Sequence, residues 1–412
     1  LEIELAKPRF LIIVRGEENY GVQTQLLGLA AELVRRGWAI SVYAIGDGEF
    51  AEKARRLPAE ITIDPARPPR FLAEDGGRIR SYARVVANSA GLVRRLHRFL
   101  KENRFDAGVV REHGIILPVA AAASGTKARI CWLMPNCVGD GYPLDLNRRL
   151  YEAVFRRGHI VPVGNSAFTL ATLGRGAKYG THIDLGIDPA KLAKFDPSAA
   201  PLLADLPAGA IKLLIMARLV EDKGQQMMLR AMLSDPAFAE MHLVLCGGPL
   251  GTPYAEALRA EADAAGAGDR LHLCGPVENV ADYYNAVDVV GSVRIDAEPF
   301  GLSVVESMLA AKPVLTHALG GPAKVVVDGV TGWHITKPTV EGFAEGLRKM
   351  LADRERWPAI GKAGRQRALN HYTVETMTTQ FLAAAGADSG DHSVHRPTCG
   401  AGREEPISPY PS

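Results

Sequence analysis

Short continuous apolar runs alternate along this chain with stretches whose apolar positions recur every three to four residues. Phe10 to Val14 is uninterrupted, as a strand covered on both faces of a parallel sheet would be. Leu26, Leu27, Ala30, Leu33 and Val34 then recur at helical spacing, and Gly37 stands where that helix would end. Ile40 to Ile45 supplies the next strand and completes a strand–helix–strand unit. Further strands are predicted at Ala107 to Val110, Ile130 to Leu133 and Ile160 to Val163, with a long helix from Ile79 to Leu100 before them. Residues 188–211 are rich in proline and alanine and read as a linker. A second series follows, with strands at Ile211 to Met216, His242 to Leu245, Arg270 to Leu273, Val287 to Val290 and Pro313 to Thr316. From Gly386 onward the apolar period is lost among Gly, Ser, Pro, His and charged residues. The pattern predicts an α/β protein of two Rossmann-like, doubly wound domains facing each other across a cleft. Their expected spans are 1–195 and 196–385, the last helix returning to the first domain, with a disordered tail at 386–412.

A length of 412 residues agrees with two domains, since single cores stop growing at roughly 250–300 residues. The net charge of +2 conceals a split. Residues 1–195 carry 29 Lys and Arg against 20 Asp and Glu, whereas residues 196–412 carry 19 against 26. A general nucleic-acid binder would be basic throughout, so no nucleic-acid partner is expected. The cysteines are Cys131, Cys137, Cys246, Cys274 and Cys399; their odd number and the absence of a C-x-x-C pair argue against a disulfide framework or zinc site. A reducing cytoplasmic setting is expected. No apolar run reaches the roughly 18 residues of a membrane span, and the opening LEIELAKPRF lacks a leader pattern.

The chain has no G-x-G-x-x-G, no P-loop, no G-x-S-x-G and no H-E-x-x-H, which removes support for nicotinamide binding, NTP hydrolysis, the hydrolase elbow and zinc proteolysis. The informative segment is Asp296 to Trp333, DAEPFGLSVVESMLAAKPVLTHALGGPAKVVVDGVTGW. Pro299, Phe300 and Gly301 form a loop, and a helix over Leu302 to Ala311 follows. Gly301, Leu302 and Ser303 therefore present free backbone amides to an anion. Glu306, inside a mostly apolar helix, could accept hydrogen bonds from a diol such as a ribose, or could act as a first-turn cap. Glu298 taken alone reads as a loop carboxylate. Arg218 and Lys223 follow a strand end, where two cations could hold a diphosphate or simply pair with Glu221 and Asp222 in a solvated turn.

Together these residues resemble the retaining, nucleotide-sugar-dependent glycosyltransferases of family 4, which have the two-domain GT-B fold. The resemblance rests on Glu298 and Glu306 flanking Pro-Phe-Gly, on Arg218 and Lys223 five apart, and on Gly320-Gly321-Pro322 and Asp328-Gly329-Val330-Thr331-Gly332. It is weaker in the first half, at Tyr20-Gly21-Val22, His113, VPVGNS and Leu185-Gly186-Ile187-Asp188. It implies a sugar moved with retention from a UDP- or GDP-sugar to a hydroxyl acceptor, without a metal or other cofactor. Arg218, Lys223 and the amides of Gly301, Leu302 and Ser303 would hold the diphosphate; Glu306 the ribose; Glu298 the donor sugar. Gly21, Val277 and Phe300 would complete the donor site, and His113 would approach from the other domain. A same-fold epimerase and a non-catalytic nucleotide-sugar-binding protein are the alternatives.

The helix at Ile79 to Leu100 carries Arg80, Arg84, Arg94, Arg95 and Arg98 among apolar residues. This predicts either a core helix with solvated arginines or a peripheral contact with an anionic membrane or lipid-linked acceptor.

Overall fold

The structure, a computed structural model, describes residues 7–17, 20–66, 79–139, 145–200, 203, 206–207 and 209–387. Seven strands form the first sheet: β1 (Arg9–Arg15), β2 (Ala39–Ile45), β3 (Ala59–Asp64), β4 (Ala107–Val110), β5 (Ile130–Met134), β6 (Ile160–Gly164) and β7 (Thr181–His182). Their order is β3-β2-β1-β4-β5-β6-β7. Six form the second: β8 (Ile211–Met216), β9 (Met241–Cys246), β10 (Leu271–Gly275), β11 (Val289–Ser292), β12 (Val314–His317) and β13 (Gly332–Ile335). They run β10-β9-β8-β11-β12-β13, and the described pairings in both sheets are parallel.

The apolar runs explain the sheets. Phe10, Ile12 and Val14 point to one face of β1 while Leu11 and Ile13 point to the other, and all five are buried. A strand sealed on both sides needs no polar alternation. Helix α1 (Tyr20–Arg35) covers one face with Leu26, Leu29, Ala30 and Leu33. Helix α2 (Ile79–Glu102) covers the other with Leu92, Leu96 and Leu100. Where its side chains are described, α2 is a core helix with basic residues outward: Arg94, Arg98 and Lys101 are exposed. Arg95 reaches back to Asp64 at 2.7 Å. Arg78 and the side chains of Arg80 and Arg84 lie outside the described residues.

In each sheet the winding reverses once, between β1 and β4 and between β8 and β11. Loops leaving the C-terminal ends of those strands diverge there and open a crevice, the usual ligand position of this architecture. The two crevices face one another.

The chain crosses between the domains twice, side by side. Ile187 N donates to Tyr372 O at 3.0 Å, and Val374 N donates to Ile187 O at 3.2 Å. Gly186 permits this approach, since a Cβ there would lie 2.0 Å from Thr373 O. After the second crossing, the chain forms a helix on the first domain, Val374–Ala385. Its Phe381 packs edge-on to Phe10 with ring centroids 5.8 Å apart. Arg36 Nη2 donates to Glu375 O at 2.7 Å from the α1 side. Gly386, with φ 67°, caps this last helix. Residues 388–412 lie outside the described residues.

Candidate functional site

Residues of both domains line a cavity of about 860 Å³ between the two crevices. The second domain supplies most of the charge. Beyond β8 the chain passes Arg218 and turns through Glu221–Lys223 into helix α3 (Gln225–Leu233). Gly224 makes that turn with φ 74°, and a Cβ there would lie 2.1 Å from Val293 O. The turn therefore packs directly on the loop after β11. Lys223 Nζ lies 3.1 Å from Glu298 Oε2, with both side chains about four-fifths buried (19% and 20% exposed). Neither reading of these residues as solvated loop charges survives this geometry. Asp222 pairs instead with Arg294, at 3.0 Å.

Arg294, which sequence reasoning did not single out, is the organiser of this corner. It bonds to Asp296, reaches Asp222, and stands 3.8 Å from Glu298 Oε2. The hydrogen bond it donates to Asp296 is the main cause that raises its pKa, with burial opposing. Arg218 is exposed, and among the described residues its guanidinium has no ion pair. Its carbonyl accepts from Gln225 Nε2 at 2.7 Å, which fixes the strand exit.

The acidic loop is held by the glycines that follow it. Glu298 N donates to Leu319 O at 3.2 Å, and Gly321 N donates to Glu298 O at 2.8 Å. Gly320 has φ 89°, and a Cβ there would stand 2.2 Å from Glu298 O. Helix α4 (Leu302–Leu309) then begins from Gly301, also left-handed at φ 89°. Gly301, Leu302 and Ser303 at its start line the cavity, and the first amides of a helix have no acceptor within it. The helix ends two residues short of the expected Ala311, which turns left-handed at φ 57° and breaks the repeat.

Glu306 lies one turn into α4 and does not cap it. Its Oε2 accepts from Tyr284 OH at 2.8 Å. Burial raises the Glu306 pKa; the Tyr284 hydrogen bond and the charge of Lys191 oppose this without cancelling it. Pro276 and Val277, after β10, form the neighbouring wall.

Arg218, Lys223, Val277, Glu298, Phe300, Gly301, Leu302, Ser303 and Glu306 thus line one cavity. His113 does not line it. β4 ends at Val110 and the chain enters a tight turn at His113–Ile115, which places the imidazole edge-on to Trp132 with ring centroids 5.0 Å apart. Burial lowers its pKa to about 4, with a backbone hydrogen bond at Asn136 opposing. The first-domain wall is made instead by Gln25, Arg111 and Asn165. Arg111 Nη1 donates to Gln25 Oε1 at 2.9 Å, and Asn165 Nδ2 donates to Pro135 O at 3.1 Å. Gly21 falls in the first turn of α1, and its surroundings lie outside the described residues. Arg111 was findable by position, because it directly follows a strand bordering a winding reversal.

Two facing parallel domains with a cation pair, a helix end and a carboxylate in the intervening cleft define the GT-B class of fold. Residues 204–367, which lie in the second domain, match the family described as Glycosyl transferases group 1. The family 4 resemblance in the sequence agrees with this. A D-inositol 3-phosphate glycosyltransferase of Xylanimonas cellulosilytica is 33% identical over 211 residues, 50% of this chain and 45% of that protein. A GDP-mannose-dependent alpha-(1-6)-phosphatidylinositol monomannoside mannosyltransferase of Mycolicibacterium smegmatis is 28% identical over 215 residues, 47% of this chain and 53% of that one. The matches therefore span about half the length of these curated relatives. The structure of Anabaena HepE in complex with UDP and glucose superposes with a TM-score of 0.74 at 20% identity, covering 92% of this chain and 100% of that one. Sucrose-phosphate synthase from Thermosynechococcus elongatus gives 0.70 at 19% identity, covering 91% and 97%. These two likenesses establish the fold.

Proposed function

We propose that this chain is a retaining glycosyltransferase that moves a sugar from a nucleoside-diphosphate sugar to a hydroxyl acceptor. The observation that carries the reading is the convergence of Arg218, Lys223 and the α4 amides beside Glu298, with Glu306 one turn further along. Lys223, Arg218 and the amides of Gly301, Leu302 and Ser303 bind the diphosphate and stabilise its charge as it leaves. Glu306 accepts from the ribose hydroxyls, and Val277 lies against the base. Glu298 positions the donor sugar through its hydroxyls. Phe300 supports that loop through an edge-on contact with Tyr372, ring centroids 6.1 Å apart.

In the transfer, the bond from the anomeric carbon to the leaving phosphate oxygen breaks and one to the acceptor oxygen forms on the same face. The acceptor proton passes to the leaving phosphate oxygen, so no protein base is required. Cations and a helix end supply the charge that a metal supplies elsewhere, which is the ground for proposing a metal-independent reaction. His113, held away from the cavity wall, has no part in this scheme, and Arg111 stands at the acceptor side in its place. The donor is a UDP- or GDP-sugar; the relatives named above include a GDP-mannose-dependent enzyme, and a structural neighbour binds UDP. Among the described residues no helix is long and apolar enough to cross a membrane. Contact with an anionic membrane through the exposed Arg94, Arg98 and Lys101 of α2 is part of the proposal, and co-sedimentation with anionic vesicles tests it.

Release of nucleoside diphosphate from a panel of UDP-, GDP- and ADP-sugars tests the function. One donor should be turned over by the wild type and not by Lys223→Ala. No release from any donor would refute the reading.

A further inference from the structure

One side chain of the first domain bonds directly into the acidic loop of the second. Ser166 Oγ donates to Pro299 O at 2.6 Å, across 133 residues of sequence. Thr169 Oγ1 adds a longer contact of 3.4 Å to the same carbonyl. Ser166 is 5% exposed and Thr169 is fully buried, so the contact is shielded from water. The Ser166 hydroxyl is used further: it also accepts from Thr169 N at 3.1 Å, capping the short helix Ala167–Ala171, and lies 3.0 Å from Thr169 Oγ1. The carbonyl it holds lies between Glu298, which carries the ion pair with Lys223, and Gly301, where the free amides of α4 begin.

We infer that Ser166 is a positioning residue that latches the Glu298–Gly301 loop to the first domain, fixing the carboxylate and the amides relative to the acceptor wall. The inference rests on the proposed glycosyl transfer for its catalytic consequence, but the latch itself is a property of the fold. A hydroxyl spent on both a cap and a cross-domain carbonyl can be dissected. Glycine caps a helix nearly as well as serine, whereas alanine does not. Ser166 has φ −162°, extended backbone open to any residue, so Ser166→Gly removes the latch and keeps most of the cap. Ser166→Thr keeps both.

The experiment compares wild type, Ser166→Gly and Ser166→Thr in three measurements. These are affinity for UDP and GDP, steady-state turnover of the preferred donor, and amide exchange over residues 299–303. The latch predicts that Ser166→Gly binds nucleoside diphosphate within twofold of wild type, because those contacts lie within the second domain. It predicts a fall in kcat of about threefold to tenfold, the worth of one hydrogen bond to a backbone carbonyl. Exchange over 299–303 becomes faster, and Ser166→Thr restores both properties. Unchanged kcat and exchange in Ser166→Gly would overturn the latch. So would nucleotide affinity and kcat falling together, which indicates a collapsed loop rather than a misplaced one. If the wild type turns over no donor, the proposed function fails, and exchange alone decides the latch: faster upholds it and unchanged overturns it.

Discussion

Replacing Lys223 by alanine separates the catalytic reading of the cleft from a structural one. Its ammonium lies 3.1 Å from Glu298, and each side chain is about one-fifth exposed. At an effective dielectric constant near 20, two unit charges at this range attract by about 5 kcal/mol, most of it offset by the water both groups have lost. Arg294 remains 3.8 Å from the same carboxylate oxygen, so Glu298 is not left without a counter-ion. The net stability loss should be about 1–2 kcal/mol, a shift of a few degrees in a thermal melt. A domain stable by about 5–15 kcal/mol stays essentially fully folded after such a loss. The catalytic cost is larger. Removing one preorganised group from a site of developing negative charge costs about 2.7–4 kcal/mol, a 10²- to 10³-fold fall in kcat. Steady-state release of nucleoside diphosphate at 25 °C, beside a melt of the same preparation, measures both effects. Turnover within threefold of wild type, with an unchanged melt, would refute the assignment of Lys223 to the leaving diphosphate.

Glu306→Gln should weaken nucleotide binding about tenfold or more, the worth of a charged hydrogen bond. Because burial raises the Glu306 pKa in the fold, its contribution to stability is present at low pH and lost as pH rises through the raised value. The glutamine variant should therefore melt at or above the wild type at pH 7 while binding nucleotide less well, read by calorimetry. His113 has the opposite sign. Its pKa is lowered to about 4, so stability is lost as pH falls from about 6.5 towards that value, by up to about 3 kcal/mol. His113→Asn should flatten the melt-versus-pH curve over that interval and leave turnover at pH 7.5 within about threefold. Gly320→Ala places a Cβ 2.2 Å from Glu298 O at a left-handed position and should cost about 2–4 kcal/mol, with loss of turnover. A melt and turnover equal to wild type would show that the glycine does not set the loop.

The strand cores at Phe10–Val14 and Ala107–Val110 are legible in the sequence because each is a continuous apolar run bounded by charged residues. β7, of two residues, and β13, of four, are too short to show a period. Ala59–Asp64 alternates apolar and polar residues at a sheet edge, a weaker signal than a sealed central strand. The donor-side residues were legible because loop, helix start and glycines are close in sequence. Arg294 was not, because its meaning depends on Asp222, brought to it by a different strand. His113 was placed at the cleft by the family resemblance, with the strand before it expected to end at Val110. The strand ends at Val110, so the residue reaching the cavity is Arg111, and two residues later the chain has already turned towards Trp132.

The helix Val374–Ala385 has a consequence for how this protein is made. Ribosomes build from the N-terminus, yet the layer over Phe10 and α1 is completed by Phe381, among the last described residues. At about 5–20 residues per second, the first-made domain waits many seconds with part of its apolar surface bare while the second is synthesised. The domain begun first is thus finished last. In vivo, the interval before the C-terminal helix emerges is the window in which this chain most needs protection from aggregation.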